Sequence, residues 1–424
     1  MNKRNIAHIV IEAQTPLKVG SNKSDFLQDA PIQRDWNNLP MILGTSIAGV
    51  LRKYLNDEKL FGFQDKEEGE GSQVIFSNAL LVDENGKVHE KLLLQKTPFL
   101  KIFEHLPIRE HTAINAKGVA KDTSKYDEEV VYKGTRFKFS MEFLQEDEIK
   151  FKEILSLLAT PSFRLGGGST KGFGKFKIVE IKIASFALDE YTSSLNQNIG
   201  IEISLTPIGS KHNTYILKIK PDDFFMFGSG FGDSDADMTP AMEQVVDYEK
   251  AKLSEQQVLI PASGIKGAIA HRVAFYYNKE MLRQGKEHTN IGENNEAVQA
   301  IFGHKKELAS DKKTELGQKG KLLISDCFKP LQNNTKTFDH VAIDRFTGGA
   351  IEGALFQEKT ITKNGENDWY EIEILLENSI QGNKLKAFET ALEDIVTGML
   401  PLGGATTKGH GVFSGTVLRD GVAL

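Results

Sequence analysis

The sequence predicts an α+β protein built from two tandem ferredoxin-like units, each in the order strand, helix, two strands, helix, strand, with long insertions. A repeated pattern carries this. The cluster Leu165–Gly174 recurs as Leu402–Gly411 with seven of ten positions identical. Upstream, the run Thr45–Val50 answers to Ser263–Ala268, and His111–Asn115 answers to His340–Asp344. The three matches keep their order while their offsets grow from 218 to 229 to 237, as expected of one unit copied and then lengthened in its loops. A chain of 424 residues has room for two or three domains.

Each element follows in turn. His8 to Val19 alternates as a strand, and so does Asn213 to Lys220. Ile47, Val50, Leu51, Tyr54 and Leu55 share one helical face, matched by Ile265, Ala268, Ile269, Val273 and Tyr276, with Arg272 as a polar intruder. Ser46 is expected to cap the first of these helices. Phe137, Phe139, Met141 and Phe143 alternate with polar residues as a half-buried strand, like Tyr370, Ile372, Ile374 and Leu376. A second helix carries Phe151, Ile154, Leu155 and Leu158, answered by Leu385, Phe388, Leu392, Ile395, Val396 and Met399. The glycine cluster and a last strand close each unit, at Gly174 to Ile183 and at Gly411 to Leu418. The polar stretch Tyr191 to Gly200 marks the division into residues 1–193 and 194–424.

Composition narrows the function. Cys327 is the single cysteine, which excludes an internal disulfide framework and zinc sites of several cysteines. With 58 acidic and 52 basic residues the net charge is -6, so a polyanion would have to be held by local clusters and backbone amides. Met1 to Gly20 alternates without a secretory apolar core, and no run reaches the roughly 18 apolar residues of a membrane span. A cytoplasmic protein with no membrane partner is the expectation.

The glycine clusters do not fit nucleotide-binding loops. A Walker loop lies between strand and helix, with lysine directly after its last glycine. Here the helix comes first, the strand follows, and Lys171 precedes Gly172; the same lysine breaks a dinucleotide fingerprint. Two readings remain. One is a tight turn whose glycines satisfy positive φ. The other is a backbone cradle for a phosphodiester chain, with Lys171, Lys175 and Lys408 adding charge. A turn needs glycine but not lysine, so retention of Lys171 and Lys408 in both copies weakens the turn reading.

These residues together resemble the RAMP superfamily, the repeat-associated subunits of CRISPR effector complexes. The glycine-rich loop before the last strand, the Gly-Thr-Ser-Ile-Ala-Gly and Pro-Ala-Ser-Gly-Ile-Lys-Gly helix starts and the duplication carry the resemblance. The segment His340–Ala350, running into Gly353–Phe356, is similar to the β-thumb of type III backbone subunits. Two such units in one chain look like the fused double subunit of a subtype D-like complex.

The resemblance implies a subunit stacked along CRISPR RNA, paired to single-stranded target RNA, beside other RAMP subunits and a large polymerase-like subunit. It implies RNA contacts from Gly166, Gly167, Gly168, Lys171 and Lys175 in the first unit, and from Gly403, Gly404 and Lys408 in the second. The helix starts would add Ser46, Arg52, Ser263, Lys266 and Arg272, and the thumb would add His340 and Arg345. Such holding leaves sequence reading to base pairing. His111 and His340 read more simply as packing or capping residues. After Asn115 the thumb pattern of the first unit departs from that of the second.

Type III backbone subunits cleave target RNA with an aspartate in the loop after the first strand. That loop matches Phe26–Asp35, with Asp29 in the cleaving position. The implied reaction is attack of a ribose 2′-hydroxyl on the adjacent phosphodiester with a divalent metal, Mg2+, held by Asp29 and Asp237 and RNA. A free carboxylate, with a reference pKa of about 4, is a weak base for this hydroxyl, so in-line geometry has to supply much of the rate. In the second unit Asp237 stands three residues before Pro240, whereas Asp29 stands two before Pro31, which leaves Asp235 as a rival. The run Asp233–Gln244 is no calcium loop, because Met238 and Gln244 replace the required glycine and glutamate. The alternatives are a structural subunit without cleavage, and a metal-independent nuclease for the CRISPR precursor, for which only His410 lies near a glycine loop.

Overall fold

A computed structural model describes residues 3–21, 30–65, 68–115, 118–144, 147–187, 190, 194–197, 199–286, 290–304 and 317–424. It is a mixed α/β structure with two main antiparallel sheets. In the first, the strands run in the order Ile201–Glu202, Phe176–Ala187, Lys3–Ala13, Arg136–Phe143, Ala79–Leu81, Met41–Ile42, with Val74–Phe76 also paired to Arg136–Phe143. The second runs Leu322–Ile324, Tyr370–Glu377, His212–Pro221, Phe413–Arg419, Val422–Ala423. Counting only the strands common to both, each sheet has the spatial order fourth, first, third, second.

Alternation explains the packing. Phe137, Phe139, Met141 and Phe143 are at most 1% exposed, and join Ile47, Leu51, Phe151, Ile154 and Leu155 from the helices Gly44–Leu55 and Glu148–Leu158. Tyr215, Leu217, Ile372 and Ile374 do the same with Ile265, Ile269, Phe388 and Leu392 from Ala262–Arg283 and Gly382–Val396. Each such side chain contributes about 1.5–3 kcal/mol by burial. The first sheet is covered on its other face too. Val10, Met41, Leu80, Val82, Val88 and Leu195 form a separate cluster, and Ser140 and Glu142 are buried where the alternation alone predicts exposure.

Three expected details change. The first strand is Lys3–Ala13 rather than His8 to Val19, because Pro16 has no N–H for the ladder and the chain crosses over to pair Leu17 with Val131. Ser46 is not the cap of its helix: Leu43 holds the N-cap position, and Asn78 Oδ1 accepts the Gly44 N–H from a distance (3.0 Å). The helix Gly382–Val396 ends before Met399, which is 66% exposed. Beyond position 194, Ile201–Glu202 still pairs with Lys182–Ile183 in the first sheet.

The two halves meet at a polar seam. Arg109, buried, donates to Glu243 (3.0 Å from Nη2) and Asp326 (2.6 Å), and its guanidinium lies over the Phe173 ring. Burial pulls its pKa down, but the two carboxylates raise it further than that. Asp326 Oδ1 also accepts the first amide of the long helix, Ala262 N–H (2.8 Å). Val246 and Tyr248 of the second half pack into the first core.

Candidate nucleic-acid interface

The two glycine turns share one internal design. Gly167 N–H donates to Lys18 O and Gly404 N–H to Met226 O, both at 2.7 Å, while Leu165 and Leu402 amides close on Gly174 and Gly411 carbonyls. Gly166 and Gly403 have φ of 81° and 92°, and a Cβ there would come within 2.3 and 2.4 Å of those same carbonyls, Lys18 O and Met226 O. Glycine is therefore required by contacts inside each unit. The Gly167 and Gly404 amides are spent there and are not open to a phosphate, contrary to the bare-amide expectation.

The retained lysines have a repeated setting. Lys171 lies over Tyr126 (4.9 Å) and Lys408 over Phe356 (4.8 Å), rings that stack on His111 and His340. Beneath each set is a glutamate only 1% exposed. Glu128 is paired with His111 (2.7 Å) and Lys18; Glu358 is paired with His340 (3.3 Å), Lys408 (3.3 Å) and His410 (3.2 Å). Burial pushes the Glu128 carboxyl up, but hydrogen bonds from His111 and Lys18 and the charge of Lys171 outweigh it and draw the pKa down to about 2. The histidines are thus packing and pairing residues at the base of two hairpins, Ile108–His111 with Tyr126–Glu129 and Thr335–His340 with Phe356–Thr362.

The loop holding the candidate aspartates is the same length in both units. It is closed by the bridges Gly20 to Ile32 and Gly228 to Pro240, and by Ser21 N–H to Pro31 O and Ser229 N–H to Thr239 O. Pro31 therefore corresponds to Thr239, not to Pro240. Counted from the bridges, Asp237 matches Asp29 without a slip, and Asp235 matches Leu27. Asp29 itself lies outside the described residues. Asp235 is the weaker rival on a second ground: it pairs with Lys359 (3.0 Å), as does Asp233 (2.6 Å). Asp237 accepts the Gln357 N–H through Oδ2 (2.8 Å), and its Oδ1 has no partner among the described residues.

A sequence profile of the RAMP superfamily matches residues 10–177 and 206–414. The chain belongs to the RAMP superfamily. Csm3 of Methanocaldococcus jannaschii, described as a CRISPR system Cms endoribonuclease, is 26% identical over 219 residues, covering 44% of this chain and 83% of that protein. A chain of the type III-B Cmr-beta complex, solved in its apo state by cryo-EM, matches 41% of this chain and 96% of its own length, with 19% identity and a TM-score of 0.31. The family resemblance read from the glycine loops, helix starts and thumb is thus borne out.

Within this RAMP chain the other expected contact residues fall into two groups. Arg52 is exposed on its helix, Ser46 and Ser263 are half-buried in first turns, and Arg345 sits on the exposed thumb tip beside Phe346, which is fully exposed. Lys175 and Arg272 do not join them, because their charges are engaged by Glu373 (2.7 Å) and Asp394. Among the described residues no three His, Cys, Asp or Glu side chains converge as a metal site, and no helix is long and apolar enough to cross a membrane. Asp237 with one open oxygen fits a cation that takes most of its ligands from RNA and water, the usual manner of Mg2+. Sequence reasoning missed Arg109, Gln357 and the two buried glutamates. Glu128 and Glu358 carry a signal in hindsight: they stand seventeen and eighteen residues after the matched histidines.

Proposed function

We propose that this chain is a CRISPR RNA-binding backbone subunit of a type III effector complex that holds guide and target RNA and cleaves the target. We take each half as a ferredoxin-like RAMP domain, residues 1–193 and 194–424, on the repeated strand order and despite the strand at 201–202 lent back to the first sheet. The observation that carries the cleavage reading is Asp237, fixed through one oxygen to the hairpin strand Phe356–Thr362 and open at the other. Its counterpart by count is Asp29.

In the reaction, the target strand is splayed by the thumb so that one ribose 2′-oxygen lines up with the adjacent phosphorus and the departing 5′-oxygen. The 2′-oxygen bonds to phosphorus as the P–O5′ bond breaks, leaving a 2′,3′-cyclic phosphate and a 5′-oxygen that takes its proton from water; the open oxygen of Asp237 takes the hydroxyl proton or places the metal that does, and Gln357 N–H keeps the carboxylate from swinging away. A divalent cation, Mg2+, when bound by Asp237 and RNA oxygens, supplies charge stabilisation of the phosphoryl oxygens. The thumb tip, with Phe346 and Arg345, supplies an apolar and a cationic surface for unstacked bases. The partners in this reading are CRISPR RNA, single-stranded target RNA, other RAMP subunits and a large polymerase-like subunit.

The test is Asp29→Ala and Asp237→Ala in the assembled complex. Cuts at the corresponding target positions should fall by at least a hundredfold while target binding persists. Survival of every cut in the double variant would leave a structural subunit without cleavage.

A further inference from the structure

The loop closed by the Gly228 to Pro240 bridge carries three alternating aspartates, Asp233, Asp235 and Asp237. Left uncompensated, three such carboxylates repel one another and together draw in a divalent cation. One side chain prevents both. Lys359, on the hairpin strand Phe356–Thr362, has a side chain only 13% exposed and donates to Asp233 Oδ2 (2.6 Å) and Asp235 Oδ2 (3.0 Å). The remaining oxygens of those two aspartates are also engaged. Asp233 Oδ1 accepts the Asp235 and Ala236 amides (2.8 and 2.9 Å), and Asp235 Oδ1 accepts the Ser234 hydroxyl (3.2 Å). Asp237 Oδ2 is taken by Gln357 N–H, so among the described residues Asp237 Oδ1 alone of these carboxylate oxygens has no partner. The main chain is seated in the same place. Met238 N–H donates to Gln357 O (3.0 Å) and Lys359 N–H to Met238 O (2.8 Å), which lays the loop along the strand.

The first unit is built otherwise. Counting from the buried Glu128 and Glu358, Glu129 stands in the place of Lys359, where it accepts from Arg34 (2.6 Å) and from the Ile32 amide (3.0 Å). Counted from the loop bridges, Asp25 matches Asp233, but Leu27 matches Asp235. The additional carboxylate and the lysine thus occur together, in one unit of the two.

We propose that Lys359 is a positioning residue for target cleavage: it neutralises Asp233 and Asp235 and leaves Asp237 as the one carboxylate of the loop open to the substrate. This rests on the cleavage reading above and adds why one aspartate of three acts. The ammonium is a compact point charge with several donors, suited to bridging two carboxylates at once. Without it the loop carries unpaired negative charge beside Asp237, and a cation is shared among the three carboxylates instead of being placed by one.

The experiment uses the full chain in the assembled complex with a guide-complementary target RNA. Asp29→Ala and Asp237→Ala first assign each cut to its unit. At saturating target, Lys359→Met should slow the Asp237 cut about tenfold or more while target affinity and the Asp29 cut hold, since the first unit has Glu129 at that place. Lys359→Arg keeps the charge and should bring the Asp237 cut back to within about threefold of wild type. So should Asp233→Asn with Asp235→Asn in the Lys359→Met background, because the repulsion is then gone without the lysine; a lysine acting only as a strut would leave that variant slow. A second readout needs neither RNA nor cleavage. Mn2+ titrated into the purified full chain and followed by its EPR signal should bind about tenfold tighter after Lys359→Met, and return to wild-type affinity with the two asparagines. Equal slowing of both cuts, an unchanged Asp237 cut after Lys359→Met, no rescue by the asparagines, or an Mn2+ affinity unmoved by Lys359→Met would overturn the proposal. Survival of every cut after Asp237→Ala in an otherwise wild-type chain would remove the cleavage reading of that unit, and the Mn2+ titration would still decide whether Lys359 balances the charge of the loop.

Discussion

The two glycine turns fold alike and live differently. Both are closed by the same hydrogen bonds and both carry a lysine over an aromatic ring. The first is half covered: a Cβ at Gly172 would come within 2.1 Å of Asp326 Oδ1 and 2.9 Å of Ala262 Cβ, across the seam. The second is open, with nothing within 4 Å of a Cβ at the matching Gly409. One turn has become the mating surface for the next unit, while its copy presents the same surface to whatever follows. Local conformation came with the duplication, and function now depends on what stands opposite.

Substitutions can break or sharpen this contrast. The largest effect is expected from Arg109→Met, which leaves Asp326 and Glu243 buried without their cation. It should lower unfolding stability by about 3–5 kcal/mol in denaturant titrations, whereas the second unit has Phe338 at the matching place and no such dependence. Next, Glu128→Gln should flatten the acid limb of the stability curve. The folded carboxyl has its pKa drawn below the unfolded value, so its stabilisation is complete above about pH 4.5 and is lost as pH falls toward 2. A wild-type curve with no such limb would contradict the pairing. Gly172→Ala should cost about 1–3 kcal/mol more than Gly409→Ala, since both have positive φ but only the first meets the seam. Equal melting temperatures for these two variants would mean the seam is not closed in solution. The smallest effect belongs to Phe346→Ala on the thumb tip, expected within about 0.5 kcal/mol by thermal unfolding, with any loss confined to RNA binding.

The repeated architecture was legible because periodicity and glycine placement are local properties. Phe137 to Phe143 announced a buried strand face, and the paired clusters announced the duplication. The same logic failed where partners are remote in sequence. Ser46 looked like a cap, but the helix amide is served by Asn78, thirty-four residues from Gly44. Ser140 and Glu142 looked solvent-facing, but Ser140 N–H donates to Ser77 and Glu142 pairs with Arg4, partners remote in sequence. At the site, Asp237 was legible as a candidate, yet its rivalry with Asp235 ended only when hydrogen bonds, rather than prolines, set the count. Lys175 and Arg272 were expected to contact RNA because nothing in a local window reveals Glu373 or Asp394. The glycines were read as serving a ligand, and their first duty is to Lys18 and Met226.

The short strand Ile201–Glu202, stitched back onto Phe176–Ala187, leaves little slack before the strand His212–Pro221 of the second sheet. Tethering on so brief a leash keeps the halves at high effective concentration and spares them any search for each other. One translated message then delivers both halves in fixed ratio and fixed order.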